Sequence, residues 1–261
     1  MDEQLRRVYV STAQRVPLIG DQIMAADGKG FPAVRMADPA WVAERVADTG
    51  RRWGSENPRV NGTLWWYSAS STLTGLPVTT AMITGFAAGP RLGDGRAFLR
   101  ADGSLGGFTA ATALPIADGL SVLASELAES LRAVIDALAE ASGVRTAAMW
   151  AIATDSIANR ALDAGSACGD RARGSAFAHE LVGALRRAGI AMPNPRFVDV
   201  ETSGSFVRVS DPLGSEAVGY RRFTQRASCC LIYETGRSDK CVSCPRRPDA
   251  DRVRRLAALA G

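Results

Sequence analysis

The sequence holds few of the residues from which most metal sites and covalent scaffolds are built. Its 261 residues include one histidine, His179, and five cysteines. A metal site made of several histidines is therefore excluded, and a small, odd number of cysteines does not fit the disulfide framework of a secreted scaffold. The glycine-containing loops lack the spacings G-x-G-x-x-G and G-x-x-x-x-G-K that hold phosphate groups, so nucleotide binding has no support in the sequence.

Charge is absent from residues 60–90, which are thirty-one residues in a row. On length alone this stretch is long enough to span a membrane, but seven Ser or Thr residues within 64–83 favour buried helices instead. The first residues include Asp2 and Glu3 and show no apolar segment of the secretory type. We therefore expect a cytoplasmic protein, a monomer, with at most peripheral contact with a membrane.

The composition is that of a globular protein, with 46% hydrophobic and 22% charged residues, and the chain is long enough to build a sizeable core. Apolar residues recur every three or four positions between Leu120 and Leu138, which indicates an amphipathic helix. Gly75 and Pro77 are expected to divide the uncharged region into two helices. The predicted helices cover residues 2–15, 39–53, 64–86, 118–142, 145–164, 172–188 and a short segment after Pro248.

Strands are predicted in the middle of the chain and after the last long helix. Asp102 and Gly103 stand between two β-prone runs, which is typical of a hairpin. β-Branched and aromatic residues are frequent in residues 196–210 and 216–226. No alternation of strands and helices that would build a parallel sheet is present. The sequence therefore predicts an α+β fold that is rich in helices and has a small antiparallel sheet.

Four of the five cysteines form the pattern C-C-x10-C-x2-C at Cys229, Cys230, Cys241 and Cys244. Disulfides are disfavoured in the expected compartment, which leaves a structural zinc ion or an iron-sulfur cluster. Cys241 and Cys244 have the spacing of an ordinary zinc knuckle, but two adjacent thiols reach one small ion only through a strained turn. A two-iron cluster is a wider target for soft thiolates, so the spacing favours a 2Fe-2S cluster over zinc.

The cysteine motif resembles that of a known family. The stretch RASCCLIYETGRSDKCVSCP has a tyrosine three residues after the vicinal pair and a proline after the last cysteine. It is similar to the C-terminal signature of FhuF-like ferric siderophore reductases. The segments LWWYSASSTLTG, MWAIATDSIANR and YRRFTQRASCC resemble further parts of that family, so the resemblance extends over most of the chain.

The resemblance implies a cofactor, a reaction and partners. One 2Fe-2S cluster would be bound by Cys229, Cys230, Cys241 and Cys244, and it would pass single electrons to a chelated ferric ion in the cytoplasm. The expected substrate is a ferric siderophore of the hydroxamate type. The expected electron donor is a ferredoxin, on the separate ground of local positive charge and the absence of a flavin or nicotinamide fingerprint. We expect an irregular cluster-binding lobe in residues 221–261, attached to a helix-rich part in residues 1–220.

Some other residues are candidates for contact with the substrate, namely Trp65, Trp66, Trp150, Arg222 and Arg226. Because residues 65–67 are consecutive aromatic residues, they cannot all face the core from one helix, although plain packing competes with a substrate platform. Asp155 and Arg160 either contact the chelate or form an ordinary surface ion pair. Cys168 is expected to be a free thiol in a loop and not a further ligand.

Basic residues outnumber acidic residues by ten to four in residues 221–261, whereas the whole chain has a net charge of +4. Such a segment can bind nucleic acid, and a non-enzymatic, zinc-stabilised module with a nucleic-acid-binding tail is therefore the alternative function. Beside a negatively charged cluster the same residues instead provide counter-charge and guide an acidic electron donor, so we expect no nucleic-acid partner. The basic residues concerned are Arg226, Arg237, Lys240, Arg246 and Arg247.

Overall fold

Long helices form most of the chain. The structure is a computed structural model that describes residues 2–23, 30–201, 207–209, 211, 214 and 219–259. Its α-helices are α1 (Glu3–Arg15), α2 (Pro17–Ile23), α3 (Pro39–Trp53), α4 (Pro58–Thr84), α5 (Ser121–Ser142), α6 (Thr146–Ala167), α7 (Arg171–Arg187) and α8 (Asp249–Ala257). Short 3-10 helices cover Ala33–Ala37 and Ile232–Thr235. The prediction of a helix-rich fold is confirmed, and α2 is a helix that the sequence analysis missed.

The strands are short and pair in an antiparallel manner. They are β1 (Phe31–Pro32), β2 (Phe86–Ala88), β3 (Arg96–Leu99), β4 (Leu105–Thr109), β5 (Ala113–Pro115), β6 (Phe197–Glu201), β7 (Val207–Val209) and β8 (Tyr220–Thr224). In the described residues they form three small sheets, β1-β3-β4, β2-β5 and β7-β6-β8, where one sheet was expected. The predicted hairpin joins β3 to β4, and Gly103 adopts the positive φ of 77° that its turn requires. The α+β class is confirmed.

Helix α4 runs through the centre of the fold. It begins after Asn57, whose side chain accepts hydrogen bonds from the backbone N–H groups of Arg59 and Val60. Its side chains are mostly buried, against α1, α3, α5 and α6. A helix that is covered on all sides has no polar face, which explains why this stretch carries no charge. Among the residues described, no helix is both long and apolar enough to cross a membrane.

The predicted break within this region is wrong, because α4 continues without interruption through Gly75 and Pro77. A proline inside a helix removes one hydrogen bond and crowds the preceding turn, at a local cost of about 3 kcal/mol. The buried contacts on every side of α4 outweigh that cost. Three residues after Pro77, the Thr80 hydroxyl donates a hydrogen bond to the Leu76 carbonyl, one turn earlier in the helix, at 2.8 Å.

Two contacts place the C-terminal part of the chain on this helical core. Strand β8 lies against α6, and α8 lies against β6. The chain after β8 then returns to the first half of α4, where Cys230 joins a small buried cluster with Val60 and Leu64. The cysteine segment is therefore packed between the long central helices and the last sheet, with only the 3-10 helix Ile232–Thr235 as regular structure before α8.

Candidate functional site

The fold brings the four predicted cysteines together. The Sγ atoms of Cys229 and Cys244 are 3.7 Å apart. The thiol of Cys230 interacts with the thiols of both Cys229 and Cys241. Cys230 and Cys244 are buried, and the other two are half-buried. These contacts link all four sulfurs into one group at the edge of the helical core, which we call the cysteine site.

Two turns produce this arrangement. Leu231, directly after the vicinal pair, has a φ of 63° and is the one non-glycine residue with a positive φ in the described part of the chain. This left-handed conformation costs about 1–2 kcal/mol, and it directs the Leu231 N–H to the Cys229 sulfur at 3.5 Å. In the second turn, the Cys244 N–H donates to the Cys241 carbonyl at 3.1 Å. This strained residue directly follows the vicinal pair.

Hydrogen bonds among the thiols separate their pKa values. The bonds from Cys229 and Cys241 hold the pKa of Cys230 far below its usual range, and the backbone N–H of Ile232 and the charge of Arg226 contribute in the same direction. The contact with Cys230 raises the pKa of Cys229 and of Cys241, and burial raises both further. The site therefore stabilises a thiolate, which is the form of cysteine that binds metal.

Arg226 is a buried cation beside these sulfurs. Its guanidinium carbon lies 4.6 Å from the centre of the Tyr67 ring, and its Nη1 is 3.2 Å from the Cys241 sulfur. Burial opposes the charged form, but interactions with Tyr67, Cys241, Asp155 and Cys230 raise the pKa of Arg226 overall. Its Nε and Nη2 have no hydrogen-bond partner among the described residues. Arg226 therefore brings unused hydrogen-bond donors to the cysteine site.

Asp155 of α6 fixes the chain just before the vicinal pair. Its Oδ1 accepts from the Ala227 N–H at 2.8 Å, and its Oδ2 accepts from the Ser228 N–H at 3.0 Å and the Ser228 hydroxyl at 2.5 Å. The Arg226 Nε is 3.7 Å from Oδ2. Burial raises the pKa of the Asp155 carboxyl, and these hydrogen bonds and the charge of Arg226 oppose that rise. Asp155 thus binds three successive residues that lead to Cys229.

The surface ion pair considered for Asp155 and Arg160 is not formed. Arg160 pairs instead with Asp163, with its Nη2 2.8 Å from Oδ2, while Asp155 is buried. The part that Asp155 plays in holding the cysteine lobe was not predicted from the sequence. A carboxylate among the alanines and isoleucines of a buried helix was the available signal, since a buried charge needs a partner.

The basic residues near the cysteines divide into two groups. Arg226 and Arg247 are buried, whereas Arg237 and Arg246 are exposed and Lys240 is half-buried. Arg247 donates to the Cys241 carbonyl at 2.9 Å, and it forms ion pairs with Asp239 at 2.9 Å and Asp251 at 2.8 Å. Arg247 therefore holds the second cysteine turn against the start of α8, and it is not available to an external partner.

The tryptophans proposed for substrate contact lie in the main core. Trp65 and Trp66 are buried, and the Trp66 indole donates to the Met149 carbonyl at 2.8 Å. Trp150 is buried as well. Only Tyr67 of the three consecutive aromatic residues is half-buried, and it faces Arg226. A bulky chelate cannot reach the tryptophans in this arrangement, so the structure assigns them to packing.

Arg222 is likewise part of the framework. It lies opposite Asp199 in the β6–β8 ladder, and its Nε is 2.9 Å from the Asp199 Oδ1. Its Nη1 donates to the Ser175 hydroxyl of α7 at 2.7 Å. Both charged side chains are fully buried. This ion pair joins the last sheet to the helices, and a direct contact between Arg222 and a substrate does not fit its position.

A cleft of about 570 Å³ opens at Cys229. Its walls come from the start of α4, from the start of α6 and from the lobe around the cysteines. Volumes of 300–1,000 Å³ are usual for sites that bind small molecules. The half-buried cysteine of the vicinal pair therefore faces a space of suitable size, while Cys230 behind it is closed off by α4.

The residues present fit a thiolate-bound iron-sulfur cluster. Four soft sulfur donors lie in contact, and backbone and guanidinium N–H groups point at two of them, which is the environment that iron-sulfur clusters have in proteins. The Nη2 of Arg226, which has no hydrogen-bond partner among the described residues, would be available to donate to a cluster held by these cysteines. The tighter grouping of three ligands that a single metal ion needs is not found among the described residues.

Fold and site together define a helix-rich α+β protein with a four-cysteine C-terminal lobe. Residues 226–246 match the family model of the FhuF 2Fe-2S C-terminal domain. The match includes all four cysteines and both turns, and it supports the resemblance to FhuF-like proteins for this segment of the chain. No curated protein matches the sequence.

Proposed function

We propose that this protein is a ferric siderophore reductase that holds one 2Fe-2S cluster through Cys229, Cys230, Cys241 and Cys244. The observation that carries the proposal is the gathering of these four cysteines, within the segment that matches a 2Fe-2S domain, at the wall of a cleft. The reaction takes place in the cytoplasm, and the expected substrate is a hydroxamate chelate.

A 2Fe-2S cluster held by Cys229, Cys230, Cys241 and Cys244 would supply one-electron chemistry, by which a chelated ferric ion would become ferrous. Hard oxygen donors hold ferrous ion less tightly than ferric ion, so other ligands can then take the iron. The protein residues do not need to transfer protons. Arg226 places a fixed positive charge 3.2 Å from one ligand sulfur, which favours additional negative charge at the site.

The proposal predicts a coloured protein that loses its electron to ferric chelates. Purified without air, the protein is expected to be red-brown and to contain about two iron and two sulfide ions per chain. Dithionite should bleach it and produce an electron paramagnetic resonance signal. Addition of a ferric trihydroxamate with a ferrous-specific indicator should restore the colour. It should also release one ferrous ion for each cluster that is oxidised.

Two outcomes of this experiment contradict the proposal. A colourless protein from iron-replete cells that contains one zinc ion per chain would support the alternative of a zinc-stabilised module. A red-brown protein whose reduced form is not oxidised by any ferric chelate would retain the cluster but not the reductase function.

We also propose a ferredoxin as the electron donor, and this predicts a rate that depends on salt. Arg237 and Arg246 are exposed beside the cysteine site, and ferredoxins are acidic. The rate of reduction by a ferredoxin is expected to fall about tenfold between 50 and 500 mM salt, because exposed charges are screened. Arg237→Gln should lower the rate at low salt, whereas Arg132→Gln on the exposed face of α5 should not. A rate that is independent of salt would refute the proposed docking.

A further inference from the structure

The cleft at Cys229 carries an excess of positive charge. Three arginines line it, namely Arg59 at the start of α4, Arg145 just before α6 and Arg246 in the lobe, and Glu234 is the acidic residue among its lining residues. All four are exposed. The lining thus has a formal charge of +2, which is three positive charges less one negative charge.

None of the three arginines forms an ion pair among the described residues, and the Arg246 guanidinium lies 5.9 Å from the centre of the Tyr233 ring. Glu234 accepts a hydrogen bond from the Tyr233 hydroxyl at 2.9 Å. In the part of the chain that the structure describes, neither Arg59 nor Arg145 forms an ion pair, although many other arginines do. Like charges that face one concave space repel one another, and an anionic occupant removes that repulsion.

The remaining walls suit an organic chelate. Ala148, Ala151, Leu231 and Pro245 are half-buried and present apolar surface in the cleft. Sites for small molecules commonly combine such surface with a few polar groups that set orientation and specificity. The cleft therefore offers apolar contact to a chelate backbone and positive charge to its acidic groups.

We propose that this cleft binds the iron chelate and selects chelates that carry net negative charge. The inference rests on the proposed reductase function. It concerns the charge of the substrate, which is independent of its donor type, because a hydroxamate chelate carries additional carboxylates or amines according to its side groups.

The charge also suits the chemistry of the bound chelate. When its ferric ion takes up one electron and becomes ferrous, the complex gains one unit of negative charge, and no bond is made or broken in that step. Arg59, Arg145 and Arg246 therefore interact more favourably with the chelate after the electron has arrived than before. Interactions that strengthen during the reaction are those that accelerate it.

The test uses three chelates that share one set of iron donors. They are a linear trihydroxamate with a free terminal amine, its N-acetyl derivative and its N-succinyl derivative, whose ferric or gallium complexes are cationic, neutral and anionic. Gallium(III) has the charge and size of ferric ion but is not reduced under these conditions. Calorimetric titration of the air-oxidised holoprotein with the gallium complexes therefore measures binding without electron transfer.

At low salt we expect the anionic complex to bind about tenfold more tightly than the cationic one, with the neutral complex between them. The difference should shrink at about 0.5 M salt. The double variant Arg59→Gln/Arg145→Gln should lose this preference and keep the visible spectrum of the cluster. The matched control Arg132→Gln, which leaves the cleft unchanged, should keep both.

Equal affinity of the wild-type protein for the three gallium complexes would overturn the inference. So would a double variant that keeps its spectrum and retains the preference for the anionic complex. Parallel assays with the ferric complexes separate this result from a failure of the proposed function. If all three are reduced without regard to charge, the reductase stands and the charge selection fails, whereas binding without any reduction contradicts the reductase.

Discussion

Replacement of Cys230 by serine is expected to remove the iron-sulfur cluster. Cys230 is the buried member of the vicinal pair, its pKa is held far below the usual range by Cys229 and Cys241, and it packs against Val60 and Leu64 of α4. A serine hydroxyl stays protonated and is a poor ligand for soft iron sites. We expect the affinity of the protein for the cluster to fall by at least about a hundredfold. The loss is measured as a lower content of iron and sulfide per chain and as lower visible absorbance.

The other cysteines provide the matched comparisons. Serine at 229, 241 or 244 should also destroy or alter the cluster, whereas Cys168→Ser should leave its iron content and spectrum unchanged. Cys168 caps the C-terminal end of α6, and its thiol makes no contact with the four others in the described structure. Loss of the cluster from the Cys168 variant, or full retention in the Cys230 variant, would show that the ligand set is wrong.

Replacement of Asp155 by asparagine is expected to lower the free energy of unfolding by about 3 kcal/mol. Both carboxylate oxygens accept hydrogen bonds from the lobe, and an amide would turn its NH₂ group towards a backbone N–H that also donates. Arg226 would keep its buried charge and lose its carboxylate partner at 3.7 Å. Urea unfolding followed by circular dichroism measures the loss.

A second measurement separates electrostatic from structural effects of Asp155. Removal of its negative charge should raise the reduction potential of the cluster by tens of millivolts, since one charge near the site contributes on the order of 1 kcal/mol in a high dielectric. Asp163→Asn, on the same helix, is the control, because Asp163 forms an exposed pair with Arg160. In that variant the free energy of unfolding should fall by less than about 1 kcal/mol, and the reduction potential of the cluster should stay unchanged. An unchanged potential in the Asp155 variant would contradict a role at the cluster.

The cysteine site shows how far local sequence information reaches. The spacing of Cys241 and Cys244 predicts a turn, and the structure contains it. The left-handed turn at Leu231, directly after the adjacent pair, is equally local, although it was not predicted. These features depend on residues close together in the chain, so their geometry is governed by local backbone sterics.

Long-range contacts at the same site were not predictable in this way. Asp155 is 73 residues from Ser228 in the sequence, and nothing in either segment specifies the other as its partner. Trp65 and Trp66 were candidates for the substrate because aromatic residues serve both cores and binding sites, and the packing of α4 against its neighbours determines which role applies. Arg222 depends in the same manner on its register opposite Asp199.

The sequence by itself therefore determined the helix-rich α+β class, the four cysteines with the turn between Cys241 and Cys244, and the resemblance to a 2Fe-2S domain, because composition, periodicity and short spacings are local properties. The tertiary structure decided that α4 remains continuous through Pro77, that Asp155 and Arg226 hold the cysteine site, and that Arg59, Arg145 and Arg246 face one cleft. Each of these follows from the close approach of distant segments, whose burial and charge outweigh local preferences.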